Sequence, residues 1–280
     1  MLRNIIKCFY MQLLLFNANI ILCNDNVEIN NFYKFENPII KLKNFIVTQR
    51  INYPFHKAYY SKEHNFKPCN TNLAIQLSLV VSDALKLKSD SYVSPMYLIE
   101  CLDDTNTNMY NCDNTYESLE KIISDLNKMV SILKTKGAVF LKTREYYVNE
   151  SGTFNKCQEF DNEIESLKKY PFRIYTYNEN LDKELEVIKS ILYNKGTLLA
   201  VFNAPRSFLY DYKNEGKPYI MDESEKQGYY ILRIIGWKTL NDKEYWIFSF
   251  TYDESFGIFN YGMIEIKKGK LSFMHVYNDI

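Results

Sequence analysis

Neither sign of charge prevails in this chain. The 34 Lys and Arg residues balance 34 Asp and Glu, a net charge of zero, so no basic surplus draws it to nucleic acid or to an anionic membrane surface. Histidine is scarce, at 3 residues, and no cysteines stand in Cys-x-x-Cys spacing. With only His56 and His64 near cysteines, a zinc site has no support, and no motif implies any other metal or a cofactor. No internal repeat or low-complexity tract is present, and beyond the N-terminus no apolar run approaches the ~20 residues a membrane helix needs. What remains is the composition of a globular protein, 46% hydrophobic and 24% charged, long enough to bury a substantial core as one large domain or two small ones.

Arg3 and Lys7 precede an apolar stretch, Met11 to Cys23, that is interrupted by Gln12, Asn17 and Asn19. This pattern fits a cleaved signal peptide over 1–23, with an uncleaved signal anchor as the alternative. A polar, Asn-rich lead over 24–41 follows. Four cysteines then remain, Cys69, Cys101, Cys112 and Cys157. In a secreted chain they suggest two disulfides, and spacing alone leaves all three connectivities open. Asn149-Glu150-Ser151 is a possible glycan acceptor in a lumenal protein.

From Asn72 the pattern is helical: Leu73, Leu77, Val80, Val81, Ala84 and Leu85 form one apolar stripe. Ser94-Pro95 reads as a cap followed by proline in a first helical turn. Tyr116 to Lys136 and Glu179 to Tyr193 read as two further helices, the former ended by Gly137. After Gly196 the grammar changes to short strands over 197–202, 229–237, 243–252, 262–267 and 271–276. Helices first and strands later describe an α+β chain in two halves.

The stretch Gly228 to Ile266 carries Gly228, Arg233, Gly236, Trp237, Tyr245, Trp246 and Gly257 at spacings that resemble the C-terminal half of papain-family cysteine proteases, in wording closest to cathepsin B. Val93 to Cys101 resembles that family's Leu-Ser-Pro-Gln-Tyr-Leu-Val-Asp-Cys, and Phe66 to Ile75 resembles its nucleophile segment. The resemblance runs from about residue 42 to 267. It implies a papain-like two-domain α+β fold, with a mainly helical left domain over 42–170 and a mainly β, barrel-like right domain over 171–280. It also selects the disulfides Cys69–Cys112 and Cys101–Cys157.

In that family a cysteine thiolate attacks the scissile carbonyl, a histidine activates it, an asparagine orients the imidazole and a glutamine helps hold the oxyanion. The resemblance puts Asn72 at the nucleophile position, Tyr230 at the base, Phe250 at the orienter and Phe66 at the oxyanion donor. An amide is no nucleophile, a phenol with pKa near 10 is a poor proton shuttle at neutral or lysosomal pH, and phenylalanine offers no hydrogen bond. Cys112 is followed by Asp113-Asn114-Thr115 where the family has glycines that admit substrate backbone. The short lead also falls well below the inhibitory propeptide of the family's zymogens. The resulting expectation is a secreted or lumenal, catalytically inactive homologue that binds a peptide or protein, such as active relatives or their inhibitors, and no membrane once the signal is cleaved. Two other readings stand beside it. One is a functioning cysteine-type endopeptidase with a displaced site, for which Thr71 and His64 are the nearest groups. The other is a glycan or matrix adhesion module, which rests only on the 24 tyrosines and the signal.

Overall fold

The structure, a computed structural model, describes residues 44–46, 72–85, 92–102, 118–140, 157, 172–178, 182–205, 207–210, 212, 217–221, 227–250, 261–269 and 271–278. Its helices are α1 (Asn72–Ala84), α2 (Pro95–Leu102), α3 (Leu119–Thr135), α4 (Asp182–Asn194) and the single turn α5 (Ser207–Tyr210). Its strands are β1 (Asn44–Ile46), β2 (Phe172–Asn178), β3 (Leu198–Pro205), β4 (Gln227–Leu240), β5 (Lys243–Ser249), β6 (Tyr261–Glu265) and β7 (Ser272–Asn278).

Local chemistry explains the helix ends. Ser94 Oγ accepts the Tyr97 N–H at 3.3 Å, so the Ser-Pro pair starts α2 as its sequence suggested. Ser118 Oγ accepts the Lys121 N–H at 3.2 Å to start α3. After α3 the chain turns at Gly137, whose φ of 85° is cheap only for glycine.

The strands form one antiparallel sheet in the order β2-β7-β3-β4-β5-β6, with β1 also on β4. The long β4 organises it. β3 pairs with residues 227–234 on one edge, β1 continues that edge at 236–238, and β5 takes the other edge from Arg233 onward. Among the described residues β2 and β6 do not pair, so the sheet is open. The expected barrel-like half is therefore corrected to an open sheet, within the α+β architecture that the sequence indicated. Residues 44–46, from the stretch expected to be mainly helical, also belong to this sheet.

Alternation along the strands gives the sheet two large cores, beside a small cluster of Ile235, Tyr245, Ile247 and Met263. Leu199, Val201 and Ile231 pack with the helical side, α1 to α3, around Leu73, Leu98 and Leu126. Ala200, Phe202, Tyr230, Leu232 and Phe248 pack on the opposite side with Ile188 and Leu192 of α4 and Phe208 of α5. α1 departs from the expected single stripe: every residue from Leu73 to Ser82 is buried. It lies between the sheet and α2 and α3, so its polar residues are inside. Ser82 Oγ donates to the Ser78 carbonyl at 2.6 Å and accepts the Val93 N–H at 2.9 Å, which meets the requirement that buried polar groups be bonded.

Cys101 of α2 and Cys157 form a disulfide with 4.4 Å between Cα atoms, the pairing that the family resemblance selects. Cys69, Cys112 and Asn149 lie outside the described residues, as does Phe66.

Candidate functional site

Asn72 opens α1, and its side chain points to β4. β5 reaches β4 only from Arg233 onward, so among the described residues 227–232 pair with a strand on one edge only. In that stretch Asn72 Nδ2 donates to the Ile231 carbonyl at 2.9 Å. One turn later Gln76 Nε2 donates to Asn72 Oδ1 at 3.1 Å. The i, i+4 spacing of a helix brings these two amides together. The Asn72 amide thus bonds through both its oxygen and its nitrogen, fastening the start of α1 to the sheet.

Tyr230 stands one residue from that contact yet belongs to the other side of the sheet. Its neighbours Tyr229 and Ile231 pack with the helical core, whereas Tyr230 sits in the opposite core. Its direct cross-strand partner is Phe202. The pairing of Arg233 with Ser249 sets Phe250 across from Leu232 and diagonal to Tyr230 on one face. The rings of Tyr230 and Phe250 meet edge-on with centroids 6.2 Å apart. Phe208 closes the group, 5.3 Å from Tyr230 and 5.6 Å from Phe250. All three rings are buried. Edge-on and tilted contacts of this kind add to the value of the burial itself.

The fold therefore brings positions 72, 230 and 250 to one junction, where the start of α1 meets β4 and the end of β5. What it assembles there is an amide bonded to backbone and a buried aromatic cluster. Among the described residues the cysteines are Cys101 and Cys157, bonded to each other, and the histidine is His275, on β7. Burial, reinforced by the Lys195 charge, lowers His275 from 6.5 to about 4. Thr71 and His64, the groups weighed for a displaced site, lie outside the described residues. Phe208 and Gln76 were not foreseen. Phe208 lies in a four-residue helical turn that a periodicity scan passes over, and the only signal for Gln76 was its position four residues after Asn72.

A second polar group fastens the other end of α1. Asp83 receives the Thr197 hydroxyl and lies 3.4 Å from Arg233 Nη1. Arg233 Nε donates to Ser249 Oγ at 3.1 Å. Both ionic side chains are buried, at 3% and 5% exposure. Beside them burial pushes the Tyr261 phenol up to about 12, with Arg233 opposing and Asp83 adding to the effect.

Comparison with known proteins agrees with this architecture. Proteins with curated descriptions yield no match. Among solved structures, procathepsin B S9 of Trypanosoma congolense superposes with a TM-score of 0.58 at 17% identity, covering 89% of this chain and 82% of that one. SERA5E of Plasmodium falciparum gives a TM-score of 0.56 at 14% identity, over 78% of this chain and 94% of that one. Procathepsin L2 from the larval midgut of Tenebrio molitor gives 0.56 at 14% identity, over 84% and 68%. At such identities these likenesses speak to fold. The sequence profile described as papain family cysteine protease matches residues 53–278, and the chain belongs to that family.

Proposed function

We propose that this chain is a papain-fold protein without peptidase activity that acts by binding a peptide or protein partner in a secreted or lumenal setting. The observation that carries the reading is the junction of α1 with β4. The Asn72 amide is bonded to Ile231 and Gln76, and the Tyr230 ring is buried with Phe208 and Phe250. An amide has no thiolate form to attack a carbonyl. A phenol in an apolar cluster cannot exchange protons with a substrate, and a benzyl side chain orients nothing. Rate enhancement in acyl transfer needs these capacities together, and their effects are strongly non-additive. With aromatic rings filling positions 230 and 250, the reading favours partners held on outer surfaces over a peptide threaded between the halves.

The test is to incubate the purified full chain with a broad peptide library at pH 5 and pH 7 and to follow cleavage by mass spectrometry. No cleavage above buffer is expected, and Asn72→Ala changes nothing in that assay. Cleavage that disappears with Asn72→Ala overturns the proposal. Labelling by a thiol-directed peptidase probe, or turnover dependent on a single histidine, supports the displaced-site endopeptidase instead.

A further inference from the structure

Tyr219, Ile220 and Met221, beside strand β6, alternate as a strand does although they belong to none of the seven strands. Tyr219 and Met221 pack against the core around Phe202 and Phe208, and Ile220 between them is 87% exposed. The backbone alternates in step. The Tyr219 N–H donates to the Met263 carbonyl at 2.7 Å, and Tyr219 pairs in parallel with Ile264. In an extended chain the N–H and C=O groups of successive residues point to opposite edges, so those of Ile220 point away from β6. Among the described residues they have no hydrogen-bond partner. Pro218 shares the outward register and offers a carbonyl but no N–H.

This edge is held in place from behind. The Met263 N–H donates to the Tyr212 hydroxyl at 2.8 Å, and that hydroxyl donates to the Lys217 carbonyl at 3.1 Å. The Tyr219 ring meets those of Phe208 and Tyr212 edge-on, with centroids 5.0 and 5.4 Å apart. An incoming chain therefore meets a preformed edge and does not have to order it. Ile220 also lines a cavity of about 560 Å³, whose apolar walls include Phe202, Tyr245 and Ile264. A fixed backbone edge beside an apolar space is what strand addition requires: main-chain bonds give affinity, and room for alternate side chains gives specificity.

We infer that the outward edge at Ile220 accepts an extended peptide segment of a partner protein as an added strand, with a large apolar side chain of that segment seated in the adjoining cavity. This rests on the binding reading proposed above and gives it a place and a mode. The occupant is an extended chain because the open groups are one backbone donor and one backbone acceptor on a single residue, which a peptide answers with groups of the same kind. Its side chains alternate, so one residue in two faces the cavity.

A displayed library of random linear nonapeptides is selected on the full chain, and the leading sequence is synthesised and titrated by fluorescence polarisation. One-to-one binding is expected, with large apolar residues at alternate positions. Alanine in place of the anchor weakens it about five-fold or more. N-methylation of the amide that faces Ile220 weakens it about ten-fold, the worth of a hydrogen bond left unmade, and methylation of the next amide changes it little. Ile220→Pro removes the N–H from the protein side and weakens binding to the same degree; the residue before a proline favours extended backbone, so Tyr219 keeps its conformation. Hydrogen exchange over 217–221 slows in the complex. Circular dichroism checks the fold of the variant, and the methylated peptides test the same bond on unaltered protein. A binder indifferent to N-methylation and to Ile220→Pro overturns the edge assignment and leaves the binding reading standing, and a library without binders overturns the assignment as well. Dimers that protect Ile220 and exclude the peptide overturn it in favour of a second copy of this chain. Cleavage of the binder that is lost in Asn72→Ala overturns the binding reading itself, and the assignment with it.

Discussion

His275 makes the protein acid-sensitive in a defined window. Burial, then the Lys195 charge, lowers its pKa from 6.5 to about 4, so the folded state holds the ring neutral where the unfolded chain would protonate it. Between these values the unfolded state binds more protons, and stability falls as pH drops from 6.5 toward 4. The full loss is up to about 3 kcal/mol. Urea midpoints at pH 7, 5.5 and 4.5 should therefore decline more steeply for the wild type than for His275→Gln, and equal slopes would dismiss the residue as the cause. The residues of the candidate site were read from the family resemblance: Asn72 from the segment Phe66 to Ile75, and Tyr230 and Phe250 from the stretch Gly228 to Ile266. Spacing could not tell which side of the sheet Tyr230 occupies. That parity is fixed by the pairing of β4 with β3, which places Tyr230 opposite Phe202, and no window of sequence contains both strands.

Helix α1 and strand β4 are joined at both ends of the helix, by Asn72 to Ile231 and by Asp83 to Arg233 and Thr197. A buried ion pair of this sort adds little net stability against apolar substitutes, but removing one partner leaves an uncompensated charge inside. Asp83→Asn should cost about 3 kcal/mol or more, measured by urea unfolding, whereas Asp83→Leu with Arg233→Met should cost clearly less than the sum of the single changes. Additive losses would mean that the two side chains do not act as a unit. The elements themselves were legible in uneven degree. α3 shows one apolar face and one solvated face, the pattern that periodicity detects, and it was found within a few residues. α1 was found but misread as amphipathic, since Gln76, Ser78 and Ser82 look like a solvated face until helices α2 and α3 cover them. β2 was missed. Phe-Arg-Ile-Tyr-Thr-Tyr-Asn offers tyrosines at alternate places that count as apolar or polar equally well, so its period of two is blurred.

At the scale of the molecule, one sheet separates two large cores, and the helical core is the one the disulfide crosses. The order of helices and strands disclosed the α+β division because each half is nearly continuous in sequence. It could not disclose that 44–46 returns to the sheet, or that the sheet stays open at β2 and β6, because both depend on pairing between residues far apart. The Cys101–Cys157 bond spans 56 residues and encloses all of α3, while among the described residues the strands of the sheet lie outside that loop. Closing a loop of this length removes unfolded-state freedom worth about 4 kcal/mol. Replacing both cysteines by serine should lower the melting temperature by about 10 °C. Because the constraint acts on the helical side alone, hydrogen exchange should quicken most in α2 and α3, with β3 and β4 changed least. Uniform acceleration across the sheet would show that the two cores unfold as one cooperative unit and that the bond stabilises both.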